Sequence, residues 1–229
     1  MGVKEILLEP GEYYAEVFEK DTVFIHHTAG GHRPDWVVQG AWENDKSKAG
    51  LKLAVATAYV IGGVSTTDKD SSWDGVIVKA FDDKFWAHHL GTTEPNNRML
   101  NAKSIGIEIC NYGGITMGKD GIFYNYVHKP VPADQVLDLK VPFRGYRYYH
   151  SYTKKQLSSL RELLLHLAHN HSKINLKRGL QENLVNDGAF EVNRSALKGS
   201  GGLWSHTNVR GDKNDCYPHP QLIELIKTL

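Results

Sequence analysis

The sequence predicts an α/β protein with a mixed central β-sheet flanked by helices. Short apolar, β-branched runs recur at Thr22–His27 and at residues 54–61, 75–81 and 104–110. Their nearly unbroken hydrophobicity is what strands buried on both faces require. Helical periodicity lies between and after these runs, most strongly over residues 153–170. Glycine pairs close two of the runs, at Gly30-Gly31 and Gly62-Gly63, where the chain must turn.

Taken in order, T-V-F-I-H-H at 22–27 reads as a buried strand that ends in the turn Thr28-Ala29-Gly30-Gly31 and leaves two histidines at the strand's end. From Pro34 to about Lys48, Trp36, Val37, Val38, Ala41 and Trp42 recur at helical spacing, with Pro34 near the start and Gly50 after the end, so a helix is expected. Residues 111–143 are rich in Gly, Pro and Tyr and weakly periodic. They read as an elaborated insertion, with a strand near 121–127. The best helix follows: Thr153 and Gln156 form a capping box, Tyr152 can staple onto Leu157, and Leu157, Leu160, Leu163, Leu164 and Leu167 mark one face. Gly199-Ser200-Gly201-Gly202 reads as a flexible joint, and Pro218 and Pro220 precede a closing helix over 221–228.

Composition bounds the function. The 229 residues are 41% apolar, 10% aromatic and 23% charged, enough for one well-packed domain over 1–229 and unlike a disordered chain. Twenty-seven basic against 26 acidic residues leave no field that would recruit nucleic acid or an anionic membrane. Cys110 and Cys216 are too few for a disulfide framework, although a single bridge stays open. No apolar h-region follows Met1 and no apolar stretch approaches 18 residues, so a product made in the cytoplasm, without membrane insertion, is expected.

Twelve histidines are sorted by position. His166 and His169 point away from the leucine stripe and His171 ends the helix, so H-x-x-H-x-H there belongs to a wet face rather than to a metal. His26 and His27 differ, because an imidazole at the end of a core strand needs a reason and adjacent strand residues face opposite sides. His206 lies beyond the glycines, and Lys213, Asp215 and Cys216 are packed just after it. One imidazole of the pair, His206 and a carboxylate or thiolate would suit zinc, with three protein ligands as in catalytic sites. Glu108 sits within an otherwise apolar strand, where an ionised carboxylate is costly without a partner and a buried ion pair is one reading.

Five segments occur in one order: V-F-I-H-H-T-A-G, A-Y-V-I-G, W-A-H-H-L-G, S-I-G-I-E-I and S-H-T-N-V-R-G-D-K-N-D. On these segments the chain resembles the zinc-dependent N-acetylmuramoyl-L-alanine amidases of the type-2 amidase and peptidoglycan-recognition-protein superfamily. That resemblance implies a zinc groove at one face of the sheet, with His26, His206 and Asp215 as ligands and Cys216 as the alternative third donor. It implies hydrolysis of the amide between N-acetylmuramic acid and L-alanine, with Glu108 as the catalytic carboxylate and Lys213 at the oxyanion. Trp86, His89 and Asn111 fall where the family lines its substrate groove.

Two departures stand out. Thr57 occupies the place where some relatives carry a tyrosine, and Lys213 follows His206 by seven positions, one fewer than in many relatives. The expected partner is peptidoglycan or a muropeptide, met by a monomer. The expected setting is cell-wall lysis after release from the cytoplasm, as for a phage endolysin, or wall recycling inside it. The alternative function is a non-catalytic peptidoglycan-binding module.

Overall fold

The computed structural model describes residues 2–47, 50–186 and 188–229. The chain starts with β1 (Val3–Glu5), an exposed edge strand too short and polar to announce itself in the sequence. β2 (Thr22–His27) is buried along its whole length. After Pro34 comes a single π-helical stretch, Trp36–Trp42, shorter than the helix expected; of that helix, Lys48 lies outside the described residues. β3 (Tyr59–Ile61) and β4 (Ile77–Lys79) follow, and α1 (Asn97–Lys103) runs straight into β5 (Ser104–Ile109).

Only three residues of the apolar run 54–61 join the sheet. The Ala54 carbonyl accepts from His88 N–H and Ala56 N–H donates to the His88 carbonyl, so the start of that run pairs with the 86–88 segment instead. Ala54, Ala56 and Ala58 still serve burial, though Val55 is exposed, which is why hydrophobicity alone overstated the strand.

Residues 111–150 form more than the single strand expected near 121–127. β6 (Gly114–Met117), β7 (Phe123–Tyr124), β8 (Pro130–Val131), β9 (Val136–Phe143) and β10 (Tyr146–His150) make a second sheet, in the antiparallel order β8-β7-β6-β10-β9. β7 and β8 have two residues each, too few for an alternation to be read, whereas β9 does alternate, with Leu137, Leu139 and Val141 against Asp138 and Lys140.

α2 (Lys154–Asn170) has the capping box expected: Thr153 Oγ1 accepts from Gln156 N–H, and Gln156 Oε1 accepts from Thr153 N–H, both at 3.0 Å. Its five expected leucines are all buried. Two one-turn helices, α3 (Leu180–Asn183) and α4 (Arg194–Leu197), lead to β11 (Gly202–Ser205), and α5 (Pro220–Lys227) closes the chain. No helix among the described residues is long and apolar enough to cross a membrane.

The main sheet has the order β1-β4-β3-β5-β2-β11. All its pairings are parallel except β3 with β4, which makes it the mixed sheet the sequence predicts. The glycines before β11 are not a loose joint. A side chain on Gly201 would stand 2.8 Å from the Asp21 carbonyl, and one on Gly202, at φ +141°, 2.8 Å from that of Arg178. They are glycines so that β11 can press against its neighbours.

Lys20 is buried to 1% exposure, and its ammonium donates to the carbonyls of Phe85, Ala102 and Ser104 at 2.7, 2.7 and 3.2 Å. It thereby ties the chain entering β2 to the α1–β5 junction. Burial pulls its pKa down to about 8, against the pull of Asp83 and Asp21 in the other direction. Replacing Lys20 by Met leaves three carbonyls without their donor, and urea denaturation should register a loss of about 2–4 kcal/mol. Between pH 8 and the ordinary lysine value the unfolded chain holds a proton that the native one has released. Wild-type stability should therefore rise with pH across that window, and K20M should lack the rise.

Candidate metal centre

The cavity at the carboxyl end of the main sheet is about 340 Å³, and its lining includes His26, His89, Glu108, His206, Lys213 and Asp215. Topology explains the convergence. β2 and β5 pair in register, so His26 sits opposite Glu108. β11 lies on the other side of β2 and delivers His206 immediately beyond its last residue. The loop that follows brings Asp215 back, with the Asp215 carbonyl accepting from Thr207 N–H at 3.1 Å.

Asp215 Oδ2 lies 3.4 Å from His26 Nδ1 and 3.0 Å from His206 Nδ1, and the two rings stand 4.5 Å apart. All three residues are buried, with one donor atom from each inside a 4.8 Å span. Tetrahedral zinc with bonds of about 2.0–2.1 Å spaces its donors by about 3.4 Å. The separations from Asp215 are close to that, and two imidazoles with a carboxylate are a donor set that zinc accepts.

Electrostatics divides the groups. Burial, reinforced by His206, lowers the His26 pKa to about 4 despite Asp215, so its imidazole is neutral at pH 7, as a metal ligand must be. Burial pushes Asp215 upward, but His206, His26 and His27 outweigh it and hold the carboxyl well below the usual range. Glu108 goes the other way: burial first, then the charge of Asp215, raise it well above an ordinary carboxyl, with Lys213 opposing. Its Oε2 is buried and has no hydrogen-bond partner among the described residues.

Other candidates land elsewhere. Cys216 is buried and, like Cys110, is a free thiol; burial raises it well above its ordinary value, and it is not part of the donor cluster. Trp86, 2% exposed, does not line the cavity. It stacks on Tyr14 with ring centres 4.1 Å apart and donates from Nε1 to Glu16 at 3.2 Å. Asn111 is wholly buried beneath the second sheet: its Nδ2 donates to the His150 carbonyl at 2.9 Å, and its Oδ1 accepts from Gly113 N–H at 2.8 Å. His89 does reach the cavity, but its ring is bound to His26 at 3.0 Å and Ser104 at 2.9 Å. Thr57 is buried and donates to the Tyr59 carbonyl at 2.9 Å.

The H-x-x-H-x-H histidines form no centre. His166 and His169 are exposed, and His171 lies 3.2 Å from Asp83. Sequence reading gave no role to His27, whose Nε2 lies 3.2 Å from Asn214 Oδ1 and whose Nδ1 lies 3.3 Å from Tyr152 Oη. It steadies the loop between Lys213 and Asp215, a contact that no local spacing announces.

Fold and site together define a mixed α/β domain in which, among the described residues, one buried group of side chains able to hold a metal stands at the end of the sheet. The family model for N-acetylmuramoyl-L-alanine amidases of the Amidase_2 type matches residues 18–220, and the chain belongs to that family. Among solved structures, PlyL superposes with a TM-score of 0.51 at 11% identity, over 100% of this chain and 96% of that one. The N-acetylmuramoyl-L-alanine amidase LysC from Clostridium intestinale URNW gives 0.50 at 12% identity, over 100% and 96%. These likenesses show a shared fold. No curated protein matches the sequence.

If Asp215 is the third ligand, D215A should weaken zinc binding by more than about 100-fold, beyond the 10–100-fold usual for outer-shell partners. C216A should leave the affinity essentially unchanged, as read by competition against a chromophoric chelator. Zinc at 100 times its dissociation constant should stabilise the wild type by about 2.7 kcal/mol.

Proposed function

We propose that the protein is a zinc-dependent N-acetylmuramoyl-L-alanine amidase, hydrolysing the amide between the lactyl group of N-acetylmuramic acid and the L-alanine of the peptide stem. Membership of the amidase family supports the reaction class. The observation that carries the reading is the buried His26–His206–Asp215 cluster with an unpaired, proton-seeking Glu108 in the same cavity. On this reading residues 1–229 form one catalytic domain, of which residues 111–143 are an elaboration.

His26, His206 and Asp215 would hold zinc, which when bound supplies Lewis acidity for amide hydrolysis. Glu108 does the proton work. A carboxyl whose pKa is raised by burial is matched to a general base near neutral pH, and Oε2, without a partner, is the atom free to take the proton and pass it to the leaving amine. Lys213 sets a positive charge on the same cavity wall, where it can stabilise negative charge growing on the scissile carbonyl oxygen. Thr57 has its hydroxyl committed to a backbone carbonyl, which leaves Glu108 without help from that position.

Purified peptidoglycan digested by the zinc-loaded protein should release stem peptides that begin with L-alanine, read by mass spectrometry, and chelation should stop the release. E108Q should lower the rate at least about 10²-fold while keeping zinc affinity. A near-normal rate for E108Q would remove Glu108 as the base. Wall binding without cleavage in the zinc-loaded wild type would replace the enzyme by a recognition module. Faster turnover of intact sacculi than of soluble muropeptides is the outcome expected of a wall-lytic enzyme, and the reverse order that of a recycling one.

A further inference from the structure

A histidine can ligate a metal through Nδ1 only if its proton sits on Nε2, and hydrogen bonds behind the site decide this for both imidazoles. For His26 the hydrogen-bond relay starts at Leu100, whose carbonyl accepts from Ser104 Oγ at 2.7 Å. Having given its proton there, Ser104 Oγ accepts from His89 Nε2–H at 2.9 Å. His89 Nδ1 is then an acceptor, and the atom facing it at 3.0 Å is His26 Nε2, which must donate. The Nδ1 of His26 is left as a bare lone pair facing Asp215.

His206 arrives at the same state in one step. Its Nε2 lies 2.8 Å from the Leu90 carbonyl, which can only accept, so Nε2 carries a proton, and in the neutral imidazole Nδ1 turns its lone pair toward Asp215. Two lone pairs and a carboxylate oxygen thus meet with no donor among them. Only a cation, a metal ion or a proton, relieves that arrangement.

The two orienting groups belong to adjacent residues, and one side chain holds both. Asn101 Oδ1 accepts from His89 N–H at 2.7 Å and from Leu90 N–H at 3.1 Å. Asn101 is wholly buried on α1, and its Nδ2 donates to the Asn97 carbonyl at 2.7 Å. The His89 ring also lies tight against β5: a side chain on Gly106 would stand 3.1 Å from His89 Nδ1 and 2.6 Å from Thr57. Phe24 closes its other side, edge to face at 6.1 Å.

We propose that the His89–Leu90 pair, clamped by Asn101, is a positioning unit that presents both histidine lone pairs to the metal. His89 acts through its ring and Leu90 through its carbonyl, so His89 is a support for the ligands rather than a contact for the substrate. The purpose of the unit rests on the zinc reading above, whereas the hydrogen-bond directions do not.

The test is carried out on the full chain labelled with ¹⁵N-histidine. In zinc-free wild type, long-range ¹⁵N–¹H correlations should show His26 protonated on Nε2 alone. In H89A that single-tautomer pattern should disappear, and zinc, measured by chelator competition, should bind 10–100-fold more weakly. H89N places an amide oxygen near the position of Nδ1 and should recover most of the affinity, a rescue that a mere packing role would not give. S104A, which leaves His89 in place, should relax the tautomer of His89 and weaken zinc binding less than H89A. An unchanged His26 tautomer in H89A, or zinc bound equally by H89A and wild type, would overturn the proposal. A wild type that takes up no zinc would overturn the metal reading instead, and the zinc-free spectra would still decide the hydrogen-bond relay.

Discussion

The in-register parallel pairing of β2 with β5 is the constraint on which the site depends. It sets His26 beside Glu108 on neighbouring strands, and residues paired across a sheet point to the same face. A shift of one residue would turn Glu108 away from His26 and into the opposite layer. β11 completes the arrangement by pairing with β2 from Gly202 to Ser205, so that the chain leaves the sheet at His206. Both histidines therefore stand at the carboxyl ends of parallel strands, where open α/β sheets commonly hold their ligands.

Of the three carboxyls that line this cavity, Asp215 and Glu108 are pushed in opposite directions. Asp215 is held below the usual carboxyl range by the charge its flanking imidazoles gain on protonation, whereas Glu108 has burial and the charge of Asp215 against it and an oxygen with no partner among the described residues. Such a separation suits one group to ligation and the other to proton transfer. It arises from neighbours and not from residue type, since either side chain alone would ionise in the ordinary acid range.

The loop that carries Lys213 and Asp215 is exposed on one side and anchored on the other. Tyr217, fully buried, stacks between Tyr149 and Tyr152 with ring centres 4.1 and 5.0 Å away, and its hydroxyl donates to the His150 carbonyl at 2.6 Å. Cys216 packs beside it in the core. The last residues of the second sheet and the start of α2 thus serve as the footing of the metal loop. This gives the segment leading into the capping box of α2 a part in the site's geometry, and it explains the burial of a thiol that stands next to Asp215 in the sequence.

Local signals were legible where a periodicity or a cap encodes them. The leucine face of α2, its Thr153–Gln156 cap and the strands at 22–27 and 104–109 depend on neighbours within a turn or two of chain. The ordered motifs pointed in the same way to His26, Glu108, His206, Lys213 and Asp215, all of which the fold gathers in one cavity. Boundaries failed where an apolar run was divided between the sheet and another partner, as at 54–58, and where two-residue strands had no room to alternate, as at 123–124 and 130–131. Trp86 and Asn111 were placed in the groove by their neighbours in sequence, yet the fold uses both to hold structure. The sequence by itself determined β2, β5 and α2 and which side chains are able to bind metal or move a proton. Only the tertiary structure decided which atoms of those side chains face the cavity, because the partners that orient them, His89 for His26 and Leu90 for His206, lie 63 and 116 residues away.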